Sequence, residues 1–487
     1  MKCLSNFNIH KMRMSQSVLN PNRYTNEIIN ALDTISYILY YPWTTCFSFI
    51  ITCYVSALRE KKEPHRKILD YFLFGPMCAA LLFILLPLGL MGIILWIVLC
   101  STCFQEKYSY VSKTNCTRRL SSRSLIECKQ EEFINIYSFC SANILLGPEC
   151  LNHLNNNTSS YIRAPKIAQQ ITSQSQEPLT NFEKSFNLCD SVITYIPNID
   201  FLCLQEVWER YHAKVLIKHL KQIYPYILYD IGEYKWNVNC CLFGSGLMFA
   251  SKKPILCADF RTFSFRTQHA KCATQGILCV KVLLNAKEDG SCDVGYIANL
   301  HTQAFQGTEP CIYMQLSESL EFMNQFKKSS YVPDHNLVFD VVCADVDIQA
   351  HTIFSLYQDP CCKTQGEDYP WAIGTELRQA MLYAPQLSSP EQFRKVLINN
   401  SLRRKFVLDA DVLIHSHELM TSVVNPGEDG RIPVKPYGGM RRVDRLLFRS
   451  PNPKVSCKLA GYAFSTALTN MTDHLPVCMS ITTQHLR

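Results

Sequence analysis

The sequence predicts a sheet-rich α/β domain behind an apolar, membrane-associated amino-terminal quarter. Three observations lead there. An uncharged apolar block of 34 residues, Tyr71 to Phe104, stands near the start. Strand-like and helical runs alternate after about Ser191. Carboxylates and histidines recur where strand-like runs end, in the manner of residues carried on strand ends and loops for chemistry.

The elements follow in order along the chain. A basic segment, residues 1–34, leads to a first apolar block, Ile35 to Leu58, interrupted by Pro42, and a second, Tyr71 to Phe104, interrupted by Gly75-Pro76 and Pro87. The connector "REKKEPHRK", residues 59–67, is basic, and so are the flanks on either side. Positive charge on all three sides places them on one face of a membrane, which predicts a re-entrant pair of hydrophobic segments within 35–104 and a downstream domain facing the cytosol. Cys46, Cys53, Cys78, Cys100 and Cys103 lie in or beside these blocks, either buried or open to palmitoylation. A juxtamembrane connector, 105–139, precedes the α/β domain, 140–487. Within that domain the polar stretch 151–191 reads as a solvated loop. Beyond it come the strand "IDFLCLQEV", the helix "RYHAKVLIKHLKQIY", four strand-like runs from "YILYDIG" to "VGYIANLH", the helix "QLSESLEFMNQF", and the strand "LVFDVVCADVD". The closing strands "RVDRLLFRS", "YAFSTAL" and "PVCMSITT" follow without intervening helices, which favours mixed sheets over one doubly wound parallel sheet.

Composition narrows the function. A hydrophobic content of 47% with 18% charged residues describes a folded protein with a large core. The net charge of +7 is mild and forms no basic stripe interleaved with aromatic residues, so the chain is not predicted to bind nucleic acid. The 24 cysteines are scattered through apolar runs without metal or disulfide spacing, which predicts reduced thiols and no structural zinc.

The candidate site residues are Glu206 in "LCLQEVW", His301 in "YIANLHTQ", Asp345 and Asp347 in "CADVD", Asp444 in "MRRVDRLLF", and Asp473-His474 in "MTDHLPV". Asp345 and Asp347, two apart on a strand, leave on the same face, where like charges call for a cation, a proton or solvent. Each motif alone is also what a solvated strand end looks like. Together, and in this order, they resemble the endonuclease/exonuclease/phosphatase superfamily, and "NIDFLCLQEV", "SGLMFAS", "GYIANLHTQA", "FDVVCADVD", "YPWAIGT" and "TDHLPV" resemble the membrane-anchored, neutral sphingomyelinase 2-like branch of the neutral sphingomyelinases. The resemblance covers about Asn143 to the end.

It implies a four-layer α/β sandwich of the DNase I-like kind, and a Mg²⁺-dependent phosphodiesterase, with Mn²⁺ as an alternative ion, that cleaves sphingomyelin to ceramide and phosphocholine. Anionic phospholipids would be further partners at a Golgi, plasma or endoplasmic reticulum membrane. By the same resemblance Glu206, Asn143 and Asp473 would hold the metal, His474 would take a proton from water under the orientation of Asp444, Asp345 would position that water, and His301 would stand on the leaving-group side. Four positions depart from the family. Ala344 stands where it shows glycine, and Ala270 where the membrane-anchored branch has aspartate. Asp347 stands where an amide is expected, and Gln275 where the branch has lysine. Both changes remove a donor or a positive charge from the neighbourhood of a phosphate, so reduced activity is one expectation and a lipid-binding protein without turnover is its alternative. A nuclease or an inositol-phosphate phosphatase of the same superfamily is the remaining one.

Overall fold

The computed structural model describes residues 19–57, 60, 64–112, 134–155, 157–173, 192–235, 242–303, 311–346, 353–362, 373–375, 377, 389–399, 402 and 442–486. The amino-terminal pair of helices is α1 (Glu27–Tyr54) and α2 (Gly75–Thr102), the latter entered through a π-helical turn, Asp70–Phe74. Asn26 caps α1 by accepting from the amides of Ile28 and Ile29. Pro42 and Pro87, expected as interruptions, lie inside continuous helices. By length and composition, the helical stretch Asp70–Thr102 could cross a membrane.

The α/β part contains strands β1 (Ser109–Ser112), β2 (Asn135–Leu146), β3 (Val192–Ile193), β4 (Phe201–Val207), β5 (Tyr226–Tyr229), β6 (Met248–Ser251), β7 (Ile255–Thr262), β8 (Gly276–Ala286), β9 (Cys292–His301), β10 (His335–Asp345), β11 (Asp444–Arg449), β12 (Val455–Ser465) and β13 (Val477–His485). Its helices are α3 (Glu149–Leu154), α4 (Ser160–Thr172), α5 (Arg210–Leu220), α6 (Cys311–Ser329) and α7 (Pro390–Ile398). Among the described residues the strands form two mixed sheets. One has eight strands in the order β1-β5-β6-β4-β2-β13-β12-β3, the other five in the order β11-β10-β9-β8-β7.

The two sheets pack face to face. Phe139 on β2 meets Phe339 on β10 edge-on at 5.3 Å between ring centroids, inside a core shared by both sheets. On the outer face of the large sheet, Ala164, Ile167, Ala168 and Ile171 of α4 and Leu216 and Leu220 of α5 bury at helical spacing. On the outer face of the small sheet, Ile312, Leu316, Met323 and Phe326 of α6 do the same. The result is the four-layer sandwich, helix–sheet–sheet–helix.

The expected polar loop 151–191 is corrected where α3, up to Leu154, and α4, Ser160–Thr172, occupy it. The apolar residues of α4 recur at i, i+3, i+4 and i+7, which buries one face of the helix and overrides the polar composition of the other face. Residues 174–191 lie outside the described ones, as do Asp347, Asn156 and residues 1–18. Among the described residues no cysteine is joined in a disulfide.

Candidate active site

Strand direction assembles the site. β2 and β4 run parallel, as do β9 and β10, so Asn143, Glu206, His301 and Asp345 all emerge at carboxyl ends. β11 and β13 run antiparallel to β10 and β2, so each begins at that same end, with Asp444 opening β11 and Asp473-His474 just ahead of β13. The register is tight: Asp345 pairs across the ladder with Asp444 on one side and with His301 on the other.

The side chains then close into one connected cluster. Asn143 Nδ2 donates to Glu206 Oε1 and to Asp345 Oδ2, both at 2.8 Å, which joins the two sheets through a single amide. The amide is itself fixed, because Leu145 N donates to Asn143 Oδ1 at 3.1 Å. His301 Nε2 lies 3.8 Å from both Glu206 Oε1 and Asp345 Oδ2. On the other side of Asp345, His474 Nδ1 is 2.7 Å from Asp444 Oδ2 and 4.0 Å from Asp345 Oδ2. Two sets of ligand atoms therefore fall within 4.8 Å of one another, Glu206-His301-Asp345 and Asp345-Asp444-His474, and Asp345 belongs to both. Asp473 is buried beside His474 but belongs to neither set.

Backbone strain sits here too. Glu206 has φ 60°, a left-handed conformation that costs a residue with a Cβ about 1–2 kcal/mol and turns its carboxylate out of the strand. Its neighbour Gly246, at φ 73°, is needed as glycine: a Cβ there would lie 3.1 Å from the Trp208 ring and 3.3 Å from Glu206 Cα. Trp208 in turn stands 6.2 Å from the His301 ring, between centroids.

Burial sets the electrostatics. Burial pushes the Asp444 carboxyl up to about 6, with Asp345 adding to the rise and His474 opposing it. Burial would lower the pKa of His474, but the carboxylates of Asp444 and Asp345 outweigh it and raise the imidazole well above its ordinary value. With Nδ1 committed to Asp444, Nε2 is the ring nitrogen left to exchange a proton with a bound molecule.

Sequence reasoning missed several supporting residues. Arg163 of α4 donates to the carbonyls of Leu145 and Met471, bracing the end of β2 against the loop that carries His474. Burial lowers its pKa to about 10, against the opposing pull of Asp473, Glu149 and Glu206. The helical spacing of its apolar neighbours was the available signal. Thr375 Oγ1 accepts from Val443 N at 3.1 Å and Asp444 N at 3.0 Å, which holds Asp444 at its post. Gln275 is buried, and its Oε1 has no hydrogen-bond partner among the described residues.

No family model matches the chain. It is 26% identical over 493 residues to sphingomyelin phosphodiesterase 5 of Mus musculus, covering 96% of this chain and 95% of that protein. It is 32% identical over 304 residues to sphingomyelin phosphodiesterase 3 of Homo sapiens, covering 58% of this chain but 44% of that one, so it spans less than half of that relative's length. Among solved structures, the crystal structure of SmcL superposes at a TM-score of 0.41 with 14% identity, covering 72% of this chain and 99% of that one.

Proposed function

The chain is a homologue of sphingomyelin phosphodiesterases 3 and 5, and from that premise we propose that it hydrolyses the phosphodiester of sphingomyelin at a membrane surface, with Mg²⁺, to ceramide and phosphocholine. The observation that carries the reading is the bridge from one amide, Asn143, to two carboxylates from opposite sheets, with His474-Asp444 packed beside them.

The donor set fits a small, hard divalent cation. Glu206 and Asp345 converge on one point, a like-charged arrangement that a cation relieves, and oxygen donors suit Mg²⁺ or Mn²⁺ better than a soft metal. Glu206 and Asp345 would hold it, with Asn143 restraining both, and Asp473 adding negative charge nearby. Such an ion offsets charge on the phosphoryl oxygens. His474 accepts a proton through Nε2 from the water that attacks phosphorus, and Asp444 keeps the ring oriented and its cation stabilised. The bond from phosphorus to the ceramide oxygen breaks. His301, a short distance away, supplies a hydrogen bond or proton toward the departing oxygen or a phosphoryl oxygen. The domain would face the cytosolic leaflet of the Golgi, plasma membrane or endoplasmic reticulum, where anionic phospholipids attract the basic connector.

One sequence feature favours a second reading, a lipid-binding protein without turnover: the carboxylate of Asp347 in place of an amide, together with Gln275 in place of lysine. The full chain assayed on sphingomyelin in mixed micelles separates the two. Hydrolysis that needs Mg²⁺, stops on chelation and disappears in Glu206→Gln supports the enzyme. Equal signal from Glu206→Gln would remove that reading.

A further inference from the structure

Trp208 stands at the site but takes no part in its proton and metal chemistry. It follows Glu206 by two residues, just past the end of β4. Val207 N donates to the Gly246 carbonyl at 2.8 Å and Trp208 N to the Leu146 carbonyl at 3.1 Å, so the backbone here is tied to the segments on either side of β4. The indole then enters a notch that side chains would crowd. A Cβ at Gly246 would lie 3.1 Å from Cδ2 and Cε2 of the ring, and one at Gly147 would lie 3.3 Å from its Cδ1. The ring centroid is 6.2 Å from that of His301, whose Nε2 is 3.8 Å from the carboxylates of both Glu206 and Asp345.

A tryptophan kept for packing is buried among apolar side chains. Trp208 is partly exposed, and among the described residues it belongs to none of the three apolar cores. The cation–ring pairs of the described residues involve Tyr234, Tyr37, Tyr224, Phe322, Tyr296 and Tyr357, and no lysine or arginine stands over Trp208. The strongest aromatic acceptor for a cation is thus held, partly open, beside the acidic cluster.

We propose that Trp208 reads the headgroup of the substrate, its indole receiving the quaternary ammonium of phosphocholine. The position of the phosphate in this inference rests on the proposed phosphodiesterase function. A phosphate at Glu206 and Asp345 lies beside His301, and of its two arms only the choline arm carries a cation, two carbons beyond the ester oxygen. That arm brings the nitrogen within cation–π reach of the indole, about 6 Å from a ring centroid. A trimethylammonium holds water weakly and gives it up to an aromatic face, whereas a primary ammonium is strongly hydrated. The site therefore prefers phosphocholine to phosphoethanolamine, and Trp208 is the residue that sets the preference.

Two measurements on the full chain in maltoside micelles with Mg²⁺ test this. In the first, kcat/KM is compared for sphingomyelin and ceramide phosphoethanolamine. Trp208→Leu should lower the ratio of the two by about 3- to 30-fold, and Trp208→Phe should recover most of it. Equal loss on both substrates would make the ring a packing element and overturn the proposal. The second reads binding alone, by calorimetric titration with phosphocholine and with phosphoethanolamine. The unmodified protein should bind phosphocholine more tightly, and Trp208→Leu should bind the two alike. Equal affinities in the unmodified protein, or an undiminished preference in Trp208→Leu, would overturn it. Fluorinated tryptophans incorporated throughout the chain keep the shape of the indole while draining its face, and so do not depend on the folding of Trp208→Leu. Phosphocholine affinity should fall in step with fluorine number while phosphoethanolamine affinity holds, and a flat response would count against the inference. A protein that hydrolyses neither lipid yet shows the Trp208-dependent preference would refute the phosphodiesterase reading and keep this one. Hydrolysis of sphingomyelin with no such preference would do the reverse.

Discussion

Asp345 is the side chain on which the candidate site turns, because it closes both ligand sets and touches the bridge from Asn143. His474 depends on a different carboxylate for its orientation. Replacing Asp444→Asn keeps the shape but removes the charge that holds His474 at 2.7 Å. We expect kcat on sphingomyelin to fall by about 10² to 10⁴ with little change in KM, as for loss of a positioned acid–base group. A change confined to KM would place Asp444 in binding instead. Asp347 makes an opposite prediction. If its carboxylate repels the phosphate, Asp347→Asn should raise turnover, since one donor to a developing oxyanion is worth about 10² to 10³ in rate. Gln275→Lys should act on the same phosphate, so the two changes together should depart from the product of the single effects. Independence of the two in steady-state kinetics would show that they do not share a target.

At the scale of elements, a buried charge network anchors the amino-terminal helices. Arg23 and Arg210 both reach Asp230 at 3.2 Å, and Arg210 also holds Asp33. Burial pushes the Asp230 carboxyl up, but Arg210 and Arg23 outweigh it and keep it well below the usual carboxylate range. A carboxyl whose folded pKa lies below its unfolded value, about 3.9, stabilises the fold above that value and loses this contribution as pH falls beneath it. We expect thermal unfolding in detergent to shift down steeply below about pH 4. Asp230→Asn should destabilise the neutral-pH protein by about 3–5 kcal/mol, because it removes the carboxylate shared by two buried guanidinium groups and leaves Arg23 without an ionic partner in this network, and should flatten the acid limb. A variant with unchanged stability at neutral pH would show that the network is solvated in the membrane-bound protein.

For the whole molecule, the decisive feature is that the site belongs to neither sheet. Glu206 and Asn143 come from the eight-stranded sheet, His301, Asp345 and Asp444 from the five-stranded one, and His474 from a loop between β12 and β13. Packing of Phe139 on Phe339 sets the distance between sheets, and a second polar link repeats the bridge one layer deeper, where Gln205 Nε2 donates to Asn299 Oδ1 at 2.8 Å. Rigid sheets hold the halves apart at a fixed spacing, which is how a handful of short polar side chains separated by up to 331 residues can meet, with only Asp473-His474 carried on a loop.

What the sequence by itself determined is the chemistry and the periodicity. Alternation of apolar residues marked most of the strands, the uncharged block marked α2, and the order of Glu206, His301, Asp345, Asp444 and Asp473-His474 marked the residues to watch, because side-chain type and spacing are local properties. What only the tertiary structure decided is proximity and direction. No local pattern says that Asn143 must turn its amide toward two carboxylates, since that depends on β2 and β10 facing each other across the core. Nor could composition place Arg163, which lay in a stretch polar enough to read as a loop until one face of it was buried. The amino-terminal blocks show the same division. Hydropathy marks α2 as apolar enough to cross a membrane, but only the tertiary structure pairs its neighbour α1 with the α/β domain, through Asp33 with Arg210 and Ser48 with Cys150.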